Sequence, residues 1–131
     1  MTPTLPQLLA ALRQSWNAET SYAGSDWSLD NPALAQCVVS SLVAQDYLGG
    51  ELVRYAVKGE DIDEMHYCNL LEGGVLLDTT RSQYQTPVTF TTAPVDLKHY
   101  ASIREKRLDD QETRERYELL KRRVAEALQN V

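Results

Sequence analysis

Three residues of this chain carry side chains suited to acyl-transfer chemistry: Cys37, His66 and Asp78. A thiol attacks as its thiolate, and a helix N-terminus favours that anion through unpaired N–H groups and the helix dipole. A nearby imidazolium lowers the thiol pKa further and afterwards protonates the leaving group, while a carboxylate fixes the ring's tautomer and direction. Cys37 opens "CVVSSLVAQDYLGG", in which Val38, Leu42, Val43 and Tyr47 share a helical stripe that ends in Gly-Gly. The thiol is therefore predicted near the start of a buried helix. His66 and Asp78 lie on either side of a Gly-centred bend in "MHYCNLLEGGVLLDTTRSQY", where they are predicted as base and orienting carboxylate.

The length of that bend decides whether the pair can meet. If three or five residues around "LEGGV" form it, facing residue numbers have an even sum and His66 and Asp78 share a face of the sheet. They are then directly opposite, at about 5 Å between Cβ atoms, or one diagonal apart at about 7–8 Å. A two-residue Gly73-Gly74 turn reverses the parity and separates them. An oxyanion formed on thiol attack also needs preorganised donors. The backbone N–H of Cys37 is one candidate, and the side-chain amide of Gln36 or Asn31 is the second, a choice the sequence leaves open.

Each residue has an ordinary structural use as well. Free cysteines are among the most buried residue types, and Asp78 with Thr79 and Thr80 is suited to bonding a turn backbone. Cys68, two residues beyond His66 on the same strand face, is suited to packing as a small hydrophobe, to lining the pocket, or to pairing with Cys37 on oxidation. Trp16, Trp27 and Tyr67 fit core or rim positions better than a cleft wall. Cys37, Cys68, His66 and Asp78 are zinc-ligand types, but neither cysteine belongs to a C-x-x-C knuckle, so no metal is expected. No organic cofactor is expected either: "GGEL" and "EGGV" lack the P-loop spacing and its Lys.

These residues need a scaffold, and the sequence supplies one of α+β type. Leu5, Leu8, Leu9, Leu12 and Trp16 recur at helical spacing, with Thr4 as N-cap and Pro6 in the first turn. Residues 17–36 mix Asn, Ser, Gly, Asp and Pro and are predicted as a long loop leading into Cys37. "ELVRYAV" reads as a strand, "KGEDIDE" as a turn, "MHYCNLL" and "VLLD" as two strands around "EGG", and "VTFTT" as a short extended run. Tyr117, Leu120, Val124 and Leu128 place a helix over residues 111–131. At 131 residues, 43% hydrophobic and 24% charged, a single globular domain over 1–131 is expected.

A net charge of −6 argues against a general nucleic-acid binder. The late basic clusters "REKR" and "LKRR" are interrupted by acidic residues and read as a solvated helix face. No apolar run approaches the roughly 20 residues a membrane span needs. "MTPTLPQLLAALRQSW" does not read as a signal peptide, so a cytoplasmic protein with free thiols is expected.

"SWNAETSY", "NPALAQC", "VAQDYLGGEL", "HYCNLLEGGVLLDTTRSQY" and "ETRERYELLKRRV" together resemble the YunG-like bacterial proteins over nearly the whole chain, in the same order. Ala35 stands where that pattern commonly has Gly, and Cys68 where it commonly has an aromatic residue. More distantly, residues 36–80 are similar in order to the papain-like and transglutaminase-like superfamily: helix Cys, strand His, next-strand Asp. That resemblance implies a central helix starting near Cys37, packed on a small antiparallel sheet between N- and C-terminal helices. It also implies amide cleavage, acyl transfer or deamidation by Cys37, His66 and Asp78, with Gln36 a candidate oxyanion donor. The expected substrate is a peptide, a protein or a small amide. Two alternatives remain at this level: a non-catalytic peptide-binding module using the loop before Cys37, and a redox sensor pairing Cys37 with Cys68.

Overall fold

Helix α1 (Leu5–Ser15) starts where the sequence chemistry places it. Thr4 Oγ1 accepts from Gln7 N at 3.2 Å while the Gln7 side chain accepts from Thr4 N at 2.9 Å, a reciprocal cap that satisfies two otherwise free donors. The computed structural model describes residues 2–131. After α1 the chain runs through a long irregular segment that contains only a short 3-10 turn at Gly24–Asp26, and then enters α2 (Cys37–Leu48). Gly49, at φ 73°, ends α2 in a conformation that costs a side-chain-bearing residue free energy.

Strands β1 (Glu51–Gly59), β2 (Ile62–Leu70), β3 (Leu76–Leu77) and β4 (Val88–Thr92) form one antiparallel sheet in the order β3-β2-β1-β4. The β1–β2 turn is tighter than the predicted "KGEDIDE": Gly59 pairs with Ile62, leaving Glu60 and Asp61 as the loop, with Asp61 at φ 62°. Backbone pairing continues past the point where the hairpin leaves the core, so polar residues there face water and the apolar alternation disappears.

Two further helices close the chain, α3 (Ile103–Leu108) and α4 (Gln111–Leu128). The short α3 interrupts a segment the sequence left unassigned. "SIRE" is its start signal, since Ser102 Oγ accepts from Glu105 N at 3.1 Å, and Asp110 caps α4 by accepting from Thr113 N at 3.0 Å.

Helix α2 packs on β2 and on α4, and α1 packs along α4. Leu8, Leu12, Leu42, Val43, Leu120 and Val124 fill the core between them with no exposed surface. Each buried leucine contributes about 1.5–3 kcal/mol relative to exposure. Residues Val39 to Ala44 are buried all round the helix, so α2 is held on several sides and Cys37 is carried on a rigid element.

Candidate active site

The β2–β3 register answers the parity question. Asn69 pairs with Leu77 and Leu70 with Leu76, so the facing numbers have an even sum and residues 71–75 form a five-residue bend, closed by Leu71 N donating to Val75 O at 2.7 Å. Continued one step, that register sets Asp78 opposite Cys68 and one diagonal from His66. The side chains meet: His66 Nε2 lies 2.8 Å from Asp78 Oδ2. Asp78 is itself oriented, because its other oxygen accepts from Thr80 N at 3.2 Å in an Asx-type turn.

His66 has no exposed surface. Tyr84 and Phe90 present edge-on contacts to its ring at centroid distances of 5.2 and 6.0 Å. Burial disfavours charge on the ring, but the hydrogen bond with Asp78 and then that with Cys37 outweigh it, and the His66 pKa is raised from 6.5 to about 9. Nδ1 also lies 3.1 Å from Gln83 Nε2. The amide nitrogen only donates, so with a neutral ring Nδ1 accepts from Gln83 and Nε2–H donates to Asp78. Once Nδ1 is protonated it needs an acceptor, and the Cys37 sulfur is the group at hand. Gln83 and Cys37 thus compete for one ring nitrogen.

Cys37 is the first residue of α2, is partly exposed and is a free thiol. No side chain caps the helix at Gln36, and the first-turn N–H groups, that of Cys37 included, have no acceptor within the helix. The thiol opens on a cleft of about 530 Å³ lined by residues that include Tyr22, Tyr67, Gln83, Arg107 and Arg116. That volume is in the usual range for small-molecule and cofactor sites. Just before the thiol, Ala35 adopts φ 56°, the left-handed conformation that explains why Gly is expected there.

The other residues singled out from sequence take different places. The Gln36 side chain is fully buried, donates to Asn17 O at 3.0 Å and leaves its Oε1 without a partner; it does not line the cleft. Asn31 donates to Gln83 O at 2.8 Å, which ties the long loop to the short 3-10 turn Arg81–Gln83. Trp16 is in the core and donates to Ser40 Oγ at 2.8 Å. Trp27 donates to Pro32 O at 2.8 Å, and Tyr67 reaches the cleft. Cys68 is buried, and that burial, followed by the charges on Asp78 and Cys37, pushes its thiol up to about 12. Among the described residues, no group of three or more His, Cys, Asp or Glu side chains is arranged to hold a metal ion, and no helix is long and apolar enough to cross a membrane.

Gln83 is the site residue that sequence reasoning missed. It donates to Thr80 Oγ1 at 3.3 Å and accepts from Ala35 N at 3.4 Å, so it touches the loop beside the thiol as well as the imidazole. No local spacing announces it, because Ala35 and His66, the partners that make it a site residue, lie far away in the chain.

A four-stranded antiparallel sheet, helices packed against it, and a thiol, an imidazole and a carboxylate gathered where a helix start meets two strands define a small α+β protein with a Cys-His-Asp cluster. Comparison with known proteins places it more narrowly: the chain belongs to the YunG family, whose model, described as YunG protein, matches residues 4–129. The protein called "Uncharacterized protein YunG" of Bacillus subtilis (strain 168) is 34% identical over 83 residues, an alignment covering 63% of this chain and 65% of that relative's length. No solved structure matches the chain.

Proposed function

We propose that the protein is a thiol-dependent hydrolase or acyl transferase of papain-like or transglutaminase-like type, acting on an amide or ester bond of a peptide, a protein or a small amide. The observation that supports this most strongly is the placement of His66: one ring nitrogen lies 2.8 Å from Asp78, and the partly exposed thiol of Cys37, at a helix start, is near enough to favour charge on the ring. Cys37 attacks the carbonyl carbon as its thiolate, paired with a His66 ring that already carries the Nδ1 proton, and Asp78 holds that imidazolium. The tetrahedral oxyanion is met by the Cys37 N–H and by the Gln83 amide, which is released from Nδ1 when that nitrogen takes up its proton. Gln36, turned away from the cleft, is the weaker donor. His66 then protonates the leaving group, and water or an amine, deprotonated by His66, releases the acyl group from sulfur. A reducing cytoplasm suits two unpaired cysteines.

Iodoacetamide labelling with peptide mapping tests the nucleophile. Cys37 is expected to react near neutral pH at least about tenfold faster than in the unfolded chain, and His66→Ala is expected to remove that advantage. Labelling no faster than the unfolded thiol overturns the enzymatic reading in favour of a non-catalytic binding module. Gln83→Leu separates the oxyanion role: acylation by p-nitrophenyl acetate is expected to slow by roughly 10²-fold, while alkylation, which forms no oxyanion, is not slowed. Equal effects on both reactions refute that role. A Cys37–Cys68 disulfide appearing on mild peroxide treatment would support the redox-sensor alternative, which the buried, protonated state of Cys68 disfavours.

A further inference from the structure

The cleft beside Cys37 contains positive charge that the chemistry above does not use. Arg107, from α3, and Arg116, from α4, both line it. Their Nη2 atoms reach the same oxygen, Thr113 Oγ1, at 3.3 and 3.4 Å, which holds the two guanidinium groups side by side. Thr113 is buried, and its hydroxyl donates to Asp110 Oδ2 at 2.7 Å, so its position is fixed by the α4 cap. Arg107 stands over the Tyr67 ring at 5.8 Å and Arg116 over the Tyr22 ring at 5.3 Å.

Neither arginine forms an ion pair among the described residues, and Arg107 Nε is buried without a hydrogen-bond partner. The third arginine of the cleft, Arg54, is committed to Ala93 O and Pro94 O. The lining acid, Glu64, accepts from Tyr84 at 2.9 Å. Asp110 feels both guanidinium charges, and its carboxyl is held low chiefly by Thr113, but it does not line the cleft. Two like charges kept adjacent, with a buried donor left over, are stabilised by an anion placed between them.

Building on the thiol reading, we propose that the cleft selects a substrate bearing a carboxylate close to the scissile bond, gripped by Arg107 and Arg116 while Cys37 attacks the neighbouring carbonyl. In a protein of net charge −6 this local reversal of sign gives orientation as well as affinity, since a substrate without the carboxylate gains nothing from the two donors. The carboxylate has two chemical sources, a chain-terminal α-carboxylate or an acidic side chain.

Iodoacetate and iodoacetamide present the same electrophile with and without that charge. The ratio of their rates at Cys37 is expected to exceed the ratio in the unfolded chain by about tenfold, and to fall back by a similar factor in Arg107→Gln/Arg116→Gln. Fast iodoacetamide labelling with a ratio that the substitutions leave unchanged overturns the anion proposal alone. Labelling no faster than the unfolded thiol with both reagents overturns the thiol reading and this proposal with it. On the unsubstituted protein at constant ionic strength, N-acetylalanine or N-acetylglutamate α-amide is expected to slow iodoacetamide labelling, and the neutral N-acetylalanine amide is not. Protection by the first identifies a chain terminus and by the second an acidic side chain, whereas no protection by either refutes the proposal.

Discussion

Replacing Asp78 by Asn keeps the size of the side chain and removes the charge opposite His66. In the native protein the ring holds its proton up to about pH 9. Burial pushes the other way while Cys37 still favours the charged ring, so without the carboxylate the pKa is expected to fall back to about 6.5. At pH 7.5 the ratio of charged to neutral ring then drops from about 30:1 to about 1:10. The same shift predicts stability. A histidine whose folded pKa lies above its unfolded value stabilises the fold fully below pH 6.5, and that contribution is lost as pH rises to about 9. Asp78→Asn is therefore expected to cost on the order of 3 kcal/mol at pH 6 and about 2 kcal/mol at pH 7.5, and close to nothing from this source above pH 10. Nitrogen-15 chemical shifts of the two imidazoles follow the titration directly, with the exposed His99 identified by substitution, and urea unfolding at the three pH values measures the energy. A wild-type His66 that titrates at or below 6.5, or a stability difference independent of pH, refutes this account.

Two further predictions concern the backbone. A Cβ at Gly50 would lie 2.4 Å from Leu70 O at φ 75°, so Gly50→Ala is expected to cost at least about 2 kcal/mol by chemical unfolding; a loss under half that refutes the close approach. Ala35→Gly relieves a left-handed alanine worth about 1–2 kcal/mol while adding about 0.5–1 kcal/mol of unfolded-chain entropy. A small net gain in melting temperature is expected, and a clear loss would show that Ala35 is not strained.

Much of the scaffold was legible because its signals are local. The Thr4 cap, the Gly-Gly after α2 and the stripe of Tyr117, Leu120, Val124 and Leu128 each announce an element within a few residues. The meeting of His66 with Asp78 was legible as a conditional, since strand parity makes it follow from bend length. Gln83, Arg107 and Arg116 were not, because what makes them site residues is tertiary. Gln83 touches Ala35 and His66 only after the loop folds back. "REKR" read as a solvated face because α3 was unassigned, yet Arg104 reaches Leu42 O, Gln45, Asp46 and Tyr117, and Arg107 turns to the cleft. The charge pattern alone does not reveal which cations are enclosed.

The bend over residues 71–75 makes this cluster intolerant of single insertions in a way that ordinary surface loops are not. Adding or deleting one residue there, with β2 and β3 still paired, exchanges inward for outward along the returning strand and offers His66 the side chain of Leu77 or Thr79 in place of Asp78. Changes of two residues restore the facing. Loop lengths compatible with an intact pair are thus spaced in steps of two, and bend length, countable in any aligned homologue, becomes a simple marker of which family members retain the imidazole–carboxylate contact.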